Sequence, residues 1–256
     1  MGLVEVPIVL GRGLFAFLRD FHRHALCGAV QFLPLCGFAY ALRGLLIFLY
    51  GQDPVLVLIV AGGWAGGALS LWIGAIVKGI DQRLHGSAPE IVDLLEVMFT
   101  RLLTRAALGL LSAVLALCMF VGIYAVVEGL GWEVSHFAIR CALLLSLTVF
   151  AVTSWVVVLE HAGPWGAVSR CFSLARGRPW FTIVSLVAAT LLANGIYLGL
   201  RLIYLAWTGT AINGWPKLAI VLFVVALVAA MAAAVIHHLR AFEESRSHQT
   251  LADHFD

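Results

Sequence analysis

Apolar residues fall in long unbroken runs along this chain, and charged residues gather between them. Six runs, near 26–50, 54–78, 106–130, 134–159, 181–206 and 217–238, reach the length of about 20 residues needed to cross a hydrocarbon layer of ~30 Å. Tight polar turns separate them in pairs. Gly51-Gln52-Asp53-Pro54 joins the first two, Glu128 to Glu133 the middle two, and Thr208 to Pro216 the last two.

The intervals before each pair carry a different period. Around 8–24, Leu10, Leu14, Phe17, Leu18 and Phe21 share one helical side, with Arg12, Arg19, Asp20 and Arg23 opposite. Around 89–104, Ile91, Leu94, Leu95, Met98 and Leu102 oppose Glu90, Asp93, Glu96 and Arg101. Around 165–176, Trp165, Val168, Phe172 and Ala175 oppose Ser169, Arg170, Ser173 and Arg176. Spacings of three and four predict amphipathic helices, too short and too charged to span. They are expected to lie in the cytoplasmic interface, apolar face down, with Arg23, Arg105, Arg170, Arg176 and Arg178 among lipid phosphates. Arg23, Arg105 and Arg178 are 82 and 73 residues apart, which points to three copies of one helix-plus-hairpin unit. The expectation is a single all-α membrane domain over 1–256. Its pseudo-repeats cover 8–78, 89–159 and 165–238, and a cytoplasmic tail follows over 239–256.

Composition agrees with the runs. The chain is 62% hydrophobic and 12% charged, with mean hydropathy +1.01, whereas soluble domains carry about 25% charged residues. A net charge of +2 gives no footing for nucleic acid. Twelve of the 16 Lys and Arg residues fall on the side that holds both termini and the intervals near 79–105 and 160–180. Arg43, Arg140, Arg201 and Lys217 fall on the other. The bias places both termini in the cytoplasm and the protein in a bacterial inner membrane. The N-terminus shows no basic region ahead of a clean apolar stretch, so no cleaved signal peptide is expected. The cysteines (Cys27, Cys36, Cys118, Cys141 and Cys171) form no CxxC pair and read as reduced structural thiols.

Candidate chemistry is sparse. Glu160-His161 is an acid–base pair in composition only, because adjacent residues on a helix do not face each other. Glu160 is expected to cap the next helix or to pair with Arg170 or Arg176. None of the nine histidines is placed in the middle of a span, and no HExxH, CxxCH or P-loop occurs. His237-His238 with His22 and His24 is a possible interfacial cluster, with solvation the simpler reading. No metal or cofactor site is read from the residues; bound phospholipids are expected. Arg43, Glu128 and Arg201 lie 20, 23 and 23 residues beyond Arg23, Arg105 and Arg178, so they share one depth, with Arg140 nearby. Such charges snorkel, pair with each other, or bind a substrate. In the second run, Gly62 with Gly66 and Gly63 with Gly67 form overlapping GxxxG patterns, a face for close helix packing within the bundle or against a partner.

The stretch from Val156 to Ile183, VVVLEHAGPWGAVSRCFSLARGRPWFTI, resembles the signature of the membrane domain attached to glycerophosphodiester phosphodiesterases and of related stand-alone six-helix bacterial families. The resemblance is carried by Glu160, Gly163, Ala167, Arg170, Cys171 (where the family usually has Ser), Leu174, Arg176-Gly177-Arg178 and Trp180. The ending VIHHLRAFEESRSHQTLADHFD is similar to that family's exit from its last span. The resemblance implies a six-helix membrane fold; it does not imply phosphodiesterase activity, because the catalytic barrel is a separate domain of ~250 residues.

Two functions follow as expectations. The first is a non-catalytic membrane scaffold or accessory subunit that contacts lipids and either partner subunits or further copies of itself. The second is a small transporter for an anionic solute or lipid, built on Arg43, Glu128, Arg140 and Arg201. An intramembrane lipid enzyme is the least favoured, because no facing carboxylates or Ser/His set is visible.

Overall fold

The computed structural model describes residues 4–30, 44, 71–99, 148, 151–210 and 214–255. Among them all regular structure is helical. The helices are α1 (Glu5–Arg19), α2 (21–30), α3 (71–84), α4 (Ile91–Phe99), α5 (151–159), α6 (Pro164–Gly177), α7 (Pro179–Thr208) and α8 (Trp215–Phe255). Two of them, α7 and the Pro216–Arg246 part of α8, are long and apolar enough to cross a membrane. They coincide with the fifth and sixth predicted runs. The other four runs lie wholly or largely outside the described residues.

Local chemistry explains the boundaries. Pro164 and Pro179 open α6 and α7, where proline's missing N–H is no loss and its φ is already helical. Gly209, at φ 66, ends α7 in the left-handed region, and its N–H donates to the Leu205 carbonyl at 2.8 Å. The end of α3 is a Schellman motif. Ser87 N–H donates to the Gln82 carbonyl, Gly86 N–H donates to the Arg83 carbonyl (both 3.0 Å), and Gly86 takes φ +87. The second run therefore continues as helix to residue 84 instead of ending at 78.

The centre of α8 forms the core. Val224 to Ile236 is buried without a break, as an apolar stretch without a polar face should be. Its neighbours reach it through small residues. Gly13 of α1 lies so close that an added Cβ would sit 2.7 Å from the Ala230 carbonyl and 2.8 Å from the Ala234 Cβ. On α7, Thr182, Ser185, Ala189 and Ala193 are buried while Ile183, Val187 and Leu191 point outward. Backbones thus approach closely on the inner side, and bulky side chains cover the outer one.

The first amphipathic helix departs from expectation. It does not lie apart from the bundle. It runs along α8 from Glu5, beside His238, to Phe17 and Phe21, which pack on Phe223, a stretch of about 22 Å of α8. Its buried face is Val6, Val9, Leu10, Gly13, Ala16 and Phe17. Its outward face is also apolar, with Val4, Ile8, Phe15 and Leu18 exposed. The sequence pattern merges the two stripes into one. The first can bury against protein because Gly13 and Ala16 leave room for α8.

Candidate functional site

Charged side chains join the helices at two levels: the start of α1 meets α8 and the α6–α7 junction around Glu5 and Arg178, with α6 tied to α8 nearby, and α3 meets the turn after α1 at Asp20. Arg170 of α6 sits between two acids. Its Nε donates to Glu160 Oε2 at 2.9 Å, and its Nη1 and Nη2 donate to the two carboxylate oxygens of Glu243 on α8 at 2.9 and 2.6 Å. The Glu243 hydrogen bonds, with the Glu160 pair behind them, raise the Arg170 pKa further, so its charge is fixed. Arg178, between α6 and α7, donates to Glu5 Oε2 at 2.7 Å, and its guanidinium lies 3.8 Å over the Phe242 ring. That hydrogen bond holds the Glu5 carboxyl below its usual range.

A third pair closes the turn after α1. Arg83 of α3 donates through Nε and Nη2 to both oxygens of Asp20, each at 2.6 Å. Burial of Asp20 raises its pKa, but the Arg83 hydrogen bonds and charge outweigh this and lower it. Arg23 donates through Nη1 to the Pro89 carbonyl, which ties this turn to the segment before α4. His24 is buried beside them, its ring stacked on Phe17 at 5.5 Å, and burial pushes its pKa down to about 4. Gly79 permits this: a Cβ there would meet the His24 ring at 2.5 Å.

Next to this network α3 and α8 bring together Asp81, His85 and His237. His237 Nδ1 lies 3.2 Å from Asp81 Oδ1. His85 Nδ1 lies 2.9 Å from the Asp81 backbone carbonyl and 3.6 Å from Asp81 Oδ2. The two imidazoles meet edge to face at 4.7 Å. Among the described residues this is the group of acids and histidines whose donor atoms converge enough to hold a metal ion. A cavity of about 290 Å³ adjoins it, lined by Arg12, Arg83, His237 and His238 with Val9 and Ala234.

The expected site residues are distributed as follows. Glu160 accepts from Arg170, and α6 begins at Gly163 without a side-chain capping hydrogen bond. Arg23, Arg170 and Arg178, expected among lipid phosphates, are turned toward protein acceptors. Asp20 approaches Arg23 from three residues back, whereas Glu243 and Glu5 approach Arg170 and Arg178 from other helices, over separations that carry no sequence period. Arg176 is exposed. Arg201 is exposed on α7 beside exposed Leu202 and Ile203. Arg43, Glu128, Arg140, Arg105, Gly62, Gly63, Gly66 and Gly67 lie outside the described residues.

Cys171 behaves as an inert thiol, with its pKa pushed up to about 12 by burial and by nearby Glu160. The Asp81–His85–His237 convergence was not anticipated from the residues. Its signal was the Asp81-x-x-x-His85 spacing, which puts both on one helical face but reads as loop when the run is ended at 78.

No protein-family model matches the chain, and neither does any curated protein or solved structure.

Proposed function

We propose that the chain is an integral membrane protein that acts as a non-catalytic scaffold or accessory subunit in contact with lipid. The outer face of α7 carries this reading. Trp180 and Trp207 are 74% and 87% exposed and stand about 40 Å apart along the helix. Between them Ile183, Val187, Leu191 and Leu202 point outward. That length matches a bilayer including its interfaces, with tryptophans at both boundaries. Trp165 and Phe172 on α6 are exposed at the Trp180 end, while Ala167 and Leu174 hold the opposite side of that helix to the bundle. In this reading α6 is an interfacial helix with its charged edge locked to α8. The positive-inside bias puts this end in the cytoplasm. The ion pairs favour a scaffold over an enzyme, because they commit the arginines to joining helices.

The resemblance to the phosphodiesterase-linked membrane domain points the same way, since that domain is separate from the catalytic barrel. A transporter reading needs the charged set around Arg43 to face the interior, and Arg201 faces outward.

Purification in mild detergent from native membranes tests the proposal. Stoichiometric recovery in one defined larger assembly, with phospholipid bound, is the expected result. A free monodisperse protein whose Arg43→Gln and Arg201→Gln variants lose anion flux would replace the scaffold with a transporter.

A further inference from the structure

We propose that Asp81, His85 and His237 form a binding site for a divalent transition ion of the zinc class, which clasps the end of α3 to α8. Three observations carry this. First, one donor atom from each residue lies within 4.8 Å of the other two, and the set is two imidazoles and a carboxylate. That mixture suits a borderline ion such as Zn²⁺ better than Mg²⁺ or Ca²⁺, which take oxygen. Two donors on one tetrahedral ion, with bonds of about 2.0 Å, stand about 3.3 Å apart. The His237–Asp81 separation is 3.2 Å, so this pair needs almost no movement to share an ion.

Second, the site is held in place. The Schellman turn at Gly86 and Ser87 fixes the end of α3 and sets His85 one helical turn after Asp81. His85 Nδ1 can donate to the Asp81 backbone carbonyl, the outer-shell bond that histidine ligands commonly make, leaving the lone pair on Nε2. The His85 side chain is 60% exposed, so its ring can turn toward an ion without disturbing packing. Asp81 and His237 are far less exposed and anchor the inner side.

Third, the local field favours a cation. The carbonyl end of α3 carries partial negative charge. Arg83, which lines the adjoining cavity, is neutralised by its two hydrogen bonds to Asp20. Three protein ligands leave a fourth position for water, and the adjoining cavity has room for it. The inference is independent of the scaffold reading, since a transporter could carry the same clasp.

The test uses the full chain in detergent, stripped with a chelator and titrated with Co²⁺ while its visible spectrum is recorded. One equivalent should give the intense absorption of a low-coordinate Co²⁺ site, and Zn²⁺ should displace it. His85→Ala and His237→Ala should each weaken binding at least ~10-fold. Zn²⁺ should raise the melting temperature of the unsubstituted protein and not that of His85→Ala. His85 is exposed, so this variant reports on the ion even if His237→Ala misfolds. His248→Ala with His254→Ala in the tail should leave binding unchanged. The proposal is overturned if no stoichiometric Co²⁺ spectrum appears, or if His85→Ala binds as tightly as the unsubstituted chain.

Discussion

The last two long helices, α7 and α8, are near neighbours in sequence and opposite in surroundings. Both are apolar enough to cross a bilayer, yet 28% of the most apolar stretch of α7 is buried, against 72% for α8. The more hydropathic helix, α8 at 3.0 against 1.9, is the one inside the protein. Lipid is as apolar as a leucine side chain, so hydrophobicity alone does not sort helices inward. Size does. The buried stretch of α8 is mostly Ala and Val, and the exposed stretch of α7 carries Leu, Ile and Trp. Small side chains let backbones approach and pack; bulky ones cover the exposed side.

Substitutions on each side of that division should differ sharply. The largest effect is expected at the α1–α8 seam. Gly13→Leu cannot be accommodated beside Ala230 and Ala234 unless the helices separate, and should cost about 3 kcal/mol, read as a lower melting temperature in detergent. If it costs less than Leu191→Ala on the outer face of α7, the seam is not the core.

A pH titration probes the same buried side. His24 keeps its neutral form in the fold, with a pKa of about 4 against about 6.5 when unfolded. Between those values the unfolded chain binds the extra proton. The His24 contribution is therefore intact above pH 6.5 and is lost as pH falls toward 4, by roughly 2–3 kcal/mol. His24→Asn should flatten the slope in that interval, whatever its effect at neutral pH.

Next in size is Arg170→Gln, which leaves Glu160 and Glu243 without their shared cation. The arginine is about one-third exposed, so the expected loss is about 1 kcal/mol, shrinking further in high salt. The smallest effect is Leu191→Ala, expected within about 0.5 kcal/mol because lipid or detergent replaces the lost contacts. A loss several times larger would mean that this face is covered by protein.

The positions of α7 and α8 were legible in the sequence because run length and turn chemistry decide them. The division of α1 into one buried and one exposed apolar side was not. Its stripes at Val6–Val9–Gly13 and at Val4–Ile8–Phe15 overlap in a linear pattern, and only a neighbour tells them apart. Glu160 with Arg170 was expected from the sequence and is formed; the other ion pairs between helices were hidden for another reason. Arg83 finds Asp20, Arg170 finds Glu243 and Arg178 finds Glu5 across sequence separations of 63, 73 and 173, and no local period reports such meetings. Asp81 and His85 were visible as a spacing, but drawing the end of the second run at residue 78 concealed the helical face they share.

The last helix has a mechanical consequence. Its 41 residues extend about 60 Å, well beyond the thickness of a bilayer, and beyond Pro216 it contains neither proline nor glycine. With no natural hinge, it is a stiff rod. A rotation or tilt imposed on its tail would travel along the shaft to the level of Phe223 with little lost to bending, and α1, seated along that shaft, would turn with it.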